Sequence, residues 1–80
     1  MSSGIDYLNL QEIVKTCLNK LGFTFPEAWI TPIRNGYRVE LQPPQSKELL
    51  NNLALCIKES LKVEVLVKDY AHGSAILVKT

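Results

Sequence analysis

Eighty residues hold one domain, near the lower end of what a single hydrophobic core supports unaided. Apolar residues make up 46% and charged residues 21%, a balance that excludes intrinsic disorder. The formal net charge of +1 excludes a whole-chain electrostatic drive toward nucleic acid or anionic membrane, although a local basic patch remains compatible with it.

The pattern reads as a helix and a β-hairpin, twice. The first unit runs over 10–42 and the second over 46–80, with Pro43 and Pro44 between them. Residues 1–7 read as a flexible tail on a single domain spanning 1–80. Leu10, Ile13, Val14, Cys17, Leu18 and Leu21 recur at helical spacing and predict an amphipathic first helix. Asn9 is the expected N-cap, with Glu12 three residues on and Leu8 stapling against Ile13. Gly22 supplies the left-handed residue that ends the helix, and Phe23 folds back toward Leu18.

Phe23 to Glu27 reads as a connector that Pro26 keeps irregular. Asn35-Gly36 then predicts a two-residue type I′ turn, since both central residues need positive φ. That turn sets Arg34 opposite Tyr37, Ile33 opposite Arg38 and Ile30 opposite Leu41. One face of the hairpin carries Ile30, Pro32, Tyr37, Val39 and Leu41. The other carries Trp29, Thr31 and Ile33 beside Arg38, Glu40 and Gln42. Pro32 has no N–H to give a neighbour, so its strand belongs at a sheet edge.

Ser46 is the expected N-cap of a second helix, which buries Leu49, Leu50, Leu53, Cys56, Ile57 and Leu61 and leaves Leu55 outside. The second hairpin is read as a strand over 62–68, a loop over 69–74 and a strand over 75–79. Val63, Val65 and Val67 point one way, with Glu64, Leu66 and Lys68 pointing the other. The last strand is apolar on both sides, which suits a central position.

These elements predict an α+β two-layer sandwich in αββαββ order. Its four-stranded sheet is mostly antiparallel, with both helices on one face. The order resembles the ferredoxin-like split βαβ fold, circularly permuted so that the first strand comes last; the resemblance is one of architecture. It implies a last strand lying centrally, antiparallel to the Val63 strand and parallel to the Tyr37 strand.

Chemistry-bearing motifs are few. Asp69, His72 and Ser74 fall within one short loop, too close along the chain for a nucleophile–base–orienter line. Cys17 and Cys56 sit in mid-helix without metal-ligand or C-x-x-C spacing and read as buried reduced thiols, a helix–helix disulfide and a redox role being the alternatives. The glycines are scattered, and no phosphate loop or paired-carboxylate arrangement emerges. The expectation is a non-enzyme with no catalytic, cofactor or metal residues. With no run near twenty apolar residues, it is expected to be cytoplasmic and not membrane-embedded.

The uncovered sheet face is the remaining place for a function. Trp29, Ile33, Arg38, Leu66 and Lys68 are the candidate partner-binding residues, with Leu77 and Lys79 beside them. Two occupants compete. A protein partner, with a second copy of the chain favoured, would use Trp29 and Arg38 as anchors. Single-stranded nucleic acid would stack on Trp29 and place phosphates against Arg38, Lys68 and Lys79. The lone aromatic and the balanced charge favour the protein.

Overall fold

The computed structural model describes residues 6–23, 27–71 and 73–79. Of the tail expected over 1–7, residues 1–5 lie outside the described residues, as do the Pro26 stop and the His72 position, whereas Asp6 and Tyr7 are the cap and first residue of a helix and so correct that expectation. Six elements follow one another: α1 (Tyr7–Lys20), β1 (Glu27–Ile33), β2 (Gly36–Gln42), α2 (Lys47–Leu61), β3 (Val65–Tyr70) and β4 (Gly73–Lys79). The α+β two-layer architecture is therefore the one the pattern predicts.

The sheet order is β1-β2-β4-β3, with β4 central and β1 at an edge. Every neighbouring pair is antiparallel. The expected parallel contact between the last strand and the Tyr37 strand is thus corrected. A βαβ crossover that skips one strand makes β2 and β3 parallel to each other. The strand between them, joined to β3 by a tight turn, is then antiparallel to both. This is also the pairing that the permuted split βαβ arrangement calls for.

Helix α1 begins three residues earlier than expected. The Asp6 carboxylate, not Asn9, caps it, accepting the Asn9 N–H at 2.8 Å. Asn9 fails as the cap because its own backbone is already helical, and Leu8 is exposed rather than stapled. The C-terminus is as expected. Gly22 has φ +87°, its N–H donates to the Asn19 carbonyl at 3.0 Å, and the Phe23 N–H reaches back to Leu18 at 2.9 Å. This double closure satisfies two carbonyls that the last turn would otherwise leave open. In α2 the Ser46 hydroxyl accepts the Leu49 N–H at 3.2 Å. Its C-cap is Lys62, a non-glycine residue at φ 59°.

The core lies between helices and sheet. Leu10, Val14, Leu53, Ile57, Val39, Ile76 and Val78 are fully buried, and among the described residues the buried set holds no polar or charged side chain. Ala54 joins this core and Leu55 stays outside. Cys17 and Cys56 form a disulfide across the two helices, with Cα atoms 5.9 Å apart. The free thiols expected from the sequence are therefore corrected. The two residues stand at equivalent depth on the facing sides of α1 and α2, which sets their sulfurs against each other.

Both hairpins are tighter than expected, or differently registered. In the first, Ile33 pairs with Gly36, Pro32 with Tyr37 and Ile30 with Val39, two residues away from the type I′ register. Arg34 and Asn35 form the turn, and of the residues around it only Gly36 has positive φ. A shift of two keeps every side chain on its expected face, because strand side chains alternate with period two. Pro32, placed on the core face, is nonetheless exposed. In the second hairpin Asp69 pairs with Ser74 and Tyr70 with Gly73, so most of the expected 69–74 loop is strand.

Candidate functional site: the open sheet face

Neither helix covers the second face of the sheet. Alternation places Glu27, Trp29, Thr31 and Ile33 of β1 there, with Gly36, Arg38, Glu40 and Gln42 of β2. The central strand adds Ala75, Leu77 and Lys79, and β3 adds Leu66, Lys68 and Tyr70. All five candidate residues, Trp29, Ile33, Arg38, Leu66 and Lys68, lie on this one face. Cross-strand pairing orders them into rows. Thr31, Arg38, Leu77 and Leu66 form one continuous row, and Trp29 stands beside Glu40 in the next.

Trp29 is 54% exposed, Leu66 40% and Ile33 39%. These apolar side chains sit in water with no helix to shield them. The Trp29 indole N–H points along its own strand to the Glu27 carboxylate at 3.4 Å, a contact too long to fix the ring firmly. Arg38 Nε is shielded from water and its N–H donates to no partner within hydrogen-bond reach; the Glu40 carboxylate stands 4.0 Å off. A donor in that position gains from any acceptor brought onto the face. Lys68 packs over the Tyr70 ring, its Nζ 5.7 Å from the centroid.

Tyr70 is the face residue that sequence reading missed. It was assigned to a loop, although the alternation Leu66, Lys68, Tyr70 already places it in phase with the open face. With it, the face carries a ring at each edge rather than one alone. Its strands carry three basic (Arg38, Lys68, Lys79) and two acidic (Glu27, Glu40) side chains, with Glu64 in phase just ahead of β3, a mixed surface rather than a basic one.

On the helix side, α2 and β3 meet around Asp69. Lys47 Nζ reaches its carboxylate at 3.0 Å and the Ser74 hydroxyl donates to it at 2.8 Å. These hydrogen bonds, the Lys47 one foremost, hold the Asp69 carboxyl below its ordinary 3.8. The neighbouring Ser74 is used as a donor to a carboxylate, not as a nucleophile beside a base. Among the described residues no three His, Cys, Asp or Glu side chains come together as a metal site, and no helix is long and apolar enough to cross a membrane. Comparison of the chain with protein-family models, curated proteins and solved structures returns no match, so the reading of this face rests on its own geometry.

Proposed function

We propose that the protein is a non-catalytic binding and assembly module that works through the open sheet face, and that the favoured occupant is a second copy of the chain. The observation that carries this reading is the exposure of Trp29, Ile33 and Leu66 together on the one sheet face that the fold leaves uncovered. An apolar set rimmed by charge is the composition of a docking surface.

The charge pattern supports self-association. A two-fold axis along the strands, between β2 and β4, lays β1 of one copy over β3 of the other. Trp29 then faces the partner's Lys68, Thr31 faces the partner's Leu66 and Glu27 approaches the partner's Tyr70. Cation meets ring and carboxylate meets hydroxyl, with no like charges opposed. Strand spacing of about 4.8 Å and a rise of about 3.3 Å per residue make the face roughly 19 by 20 Å, an area that suits a weak, transient contact rather than a permanent one. A reversible dimer at micromolar concentration follows.

Single-stranded nucleic acid is the second reading, and Tyr70 is the observation in its favour, because it adds a second ring to the face. Three strand spacings, about 14 Å, separate its strand from that of Trp29, and Glu27 and Glu40 repel phosphates between and beside them.

A cytoplasmic location belongs to this proposal only with the Cys17–Cys56 bond reduced, since cytosolic thiols are kept so. A retained bond implies an oxidising compartment.

The test is molar mass by size-exclusion chromatography with light scattering, over micromolar concentrations, for the natural chain and Trp29→Ala. The expected result is self-association that Trp29→Ala weakens while the stability of the fold changes by about 1 kcal/mol or less, as at an exposed site. Leu53→Ala is the folding control and loses about 2–5 kcal/mol. A natural chain that stays monomeric throughout sinks self-association. A shift of the monomer's face resonances on adding oligo-dT or oligo-U would then favour the nucleic-acid reading.

A further inference from the structure

We infer that the free edge of β3 is a second self-association site, at which two copies pair antiparallel about Leu66 and join their sheets into one of eight strands. This goes beyond the face contact and leaves that face open. The Lys79 N–H donates to the Glu64 carbonyl at 2.9 Å. Antiparallel ladders alternate, so the main-chain groups of Leu66 and Lys68 also turn inward to β4, and those of Val65 and Val67 turn outward. β3 ends the sheet, and no main-chain bond from elsewhere in the described chain reaches Val65 or Val67 on that side.

The two edges of the sheet differ. β1 carries Pro32, which blunts it against pairing. β3 has no proline, and its register with β4 runs without a bulge from Val65 to Tyr70. Beside it, Asn51, Ala54, Leu55 and Lys58 of α2 form a groove with Val65 and Val67. Leu55 is 56% exposed there, an apolar side chain overhanging the edge.

What selects a second copy of β3 is charge register. Pairing about Leu66 sets Leu66 against the partner's Leu66, and Val65 against the partner's Val67 on the helix side. It also sets Glu64 against the partner's Lys68, twice by symmetry. Both charged residues are exposed. Neighbouring registers lose this match. Centring on Lys68 opposes lysine to lysine, centring on Val65 opposes Lys62 to the partner's Lys68, and centring on Val67 opposes Leu66 to the partner's Lys68. Opposite charges directly across a strand pair stabilise it and like charges destabilise it. The added strand would carry its Val67 beneath Leu55 of the first copy and its Leu66 beside the first copy's Leu66, so that Leu55 gains an apolar cover and the two Leu66 side chains meet in one contact.

Trp29→Ala, which weakens the face contact, is the background for the test. In it, mass is followed by sedimentation equilibrium for three further variants: Glu64→Lys, Lys68→Glu and both together. The expected result is a dimer whose dissociation constant rises about tenfold with either reversal and returns close to its starting value in the double variant. A second measurement mixes Val65→Cys with Val67→Cys chains under mild oxidation. Hydrogen-bonded antiparallel partners lie about 5.5 Å apart at Cα, within disulfide reach, so the mixture cross-links while each variant alone does not. Both side chains lie on the helix side, out of reach of a face-to-face dimer. A Trp29→Ala chain that is monomeric, a double variant that is not restored, or a mixture that does not cross-link overturns the edge site and leaves the face reading standing. Association that persists undiminished in Trp29→Ala and falls with the charge reversals supports the edge and removes the face.

Discussion

Gly36 and Val78 sit on neighbouring strands so closely that the Val78 carbonyl occupies the space where any larger residue at 36 would carry its Cβ. Gly36 also has φ +150°, outside the range L side chains favour. Two demands therefore fall on one residue, a backbone conformation and a close approach. The approach fixes how deeply β4 slides between β2 and β3, with Gly36 opposite Lys79.

Gly36→Ala is accordingly expected to destabilise the fold by about 3 kcal/mol, since it adds backbone strain to a main-chain clash with nowhere to relax. Chemical denaturation measures this directly. The β2–β4 amides should lose hydrogen-exchange protection first. A loss below about 1 kcal/mol would show that the strands are not held at this separation.

The same residue explains why the first register was not legible in the sequence. Asn35-Gly36 is a strong local signal for a type I′ turn, and local rules weigh only the two residues of the turn. The glycine is instead required by β4, more than forty residues on, which no turn rule sees. Faces survive that difference because a shift of two preserves alternation, so Trp29, Ile33 and Arg38 keep their expected face, while Leu66 and Lys68 keep theirs through the alternation of β3 itself. Tyr70 is hidden for a different reason, that the Asp-Tyr-Ala-His-Gly-Ser stretch has the composition of a loop. Its strand ends in a turn short enough to leave Asp69 paired with Ser74. The helix ends were legible where the signal was backbone chemistry, at Gly22 and Ser46. At the first helix start two polar residues three apart both satisfied the capping rule, and only one is outside the helix.

The disulfide was the least legible feature, because equivalent depth on two helices says nothing about how far apart those helices lie. With the cysteines 39 residues apart, loop-closure entropy gives the bond about 4 kcal/mol of stabilisation. That is a large share of what a domain this size possesses. Reduction, or Cys17→Ser with Cys56→Ser, is expected to lower Tm by roughly 15 °C or more. Alkylation of the denatured, unreduced protein followed by mass spectrometry should modify neither cysteine. Two modified thiols would restore the reduced-core expectation and, with it, a reducing compartment.

Asp69 ties the start of α2 to the end of β3 through Lys47, and its lowered carboxyl pKa gives that tie a pH signature. The cause is first the Lys47 hydrogen bond, then the Ser74 hydroxyl and then the lysine's charge. A folded value below the unfolded one means the folded state holds the ionised form more tightly. The contribution is therefore complete above the ordinary 3.8 and is lost as pH falls through the lowered folded value. Titration of side-chain carboxyl carbons by NMR should give an Asp69 midpoint below 3.8 in the natural chain. Lys47→Ala should move it up toward 3.8, with Ser74→Ala moving it less. Both partners are largely exposed, so added salt should narrow the difference between the natural chain and Lys47→Ala. An Asp69 midpoint that ignores Lys47→Ala would show that the ion pair is not made in solution, and that α2 is held to β3 by apolar packing alone.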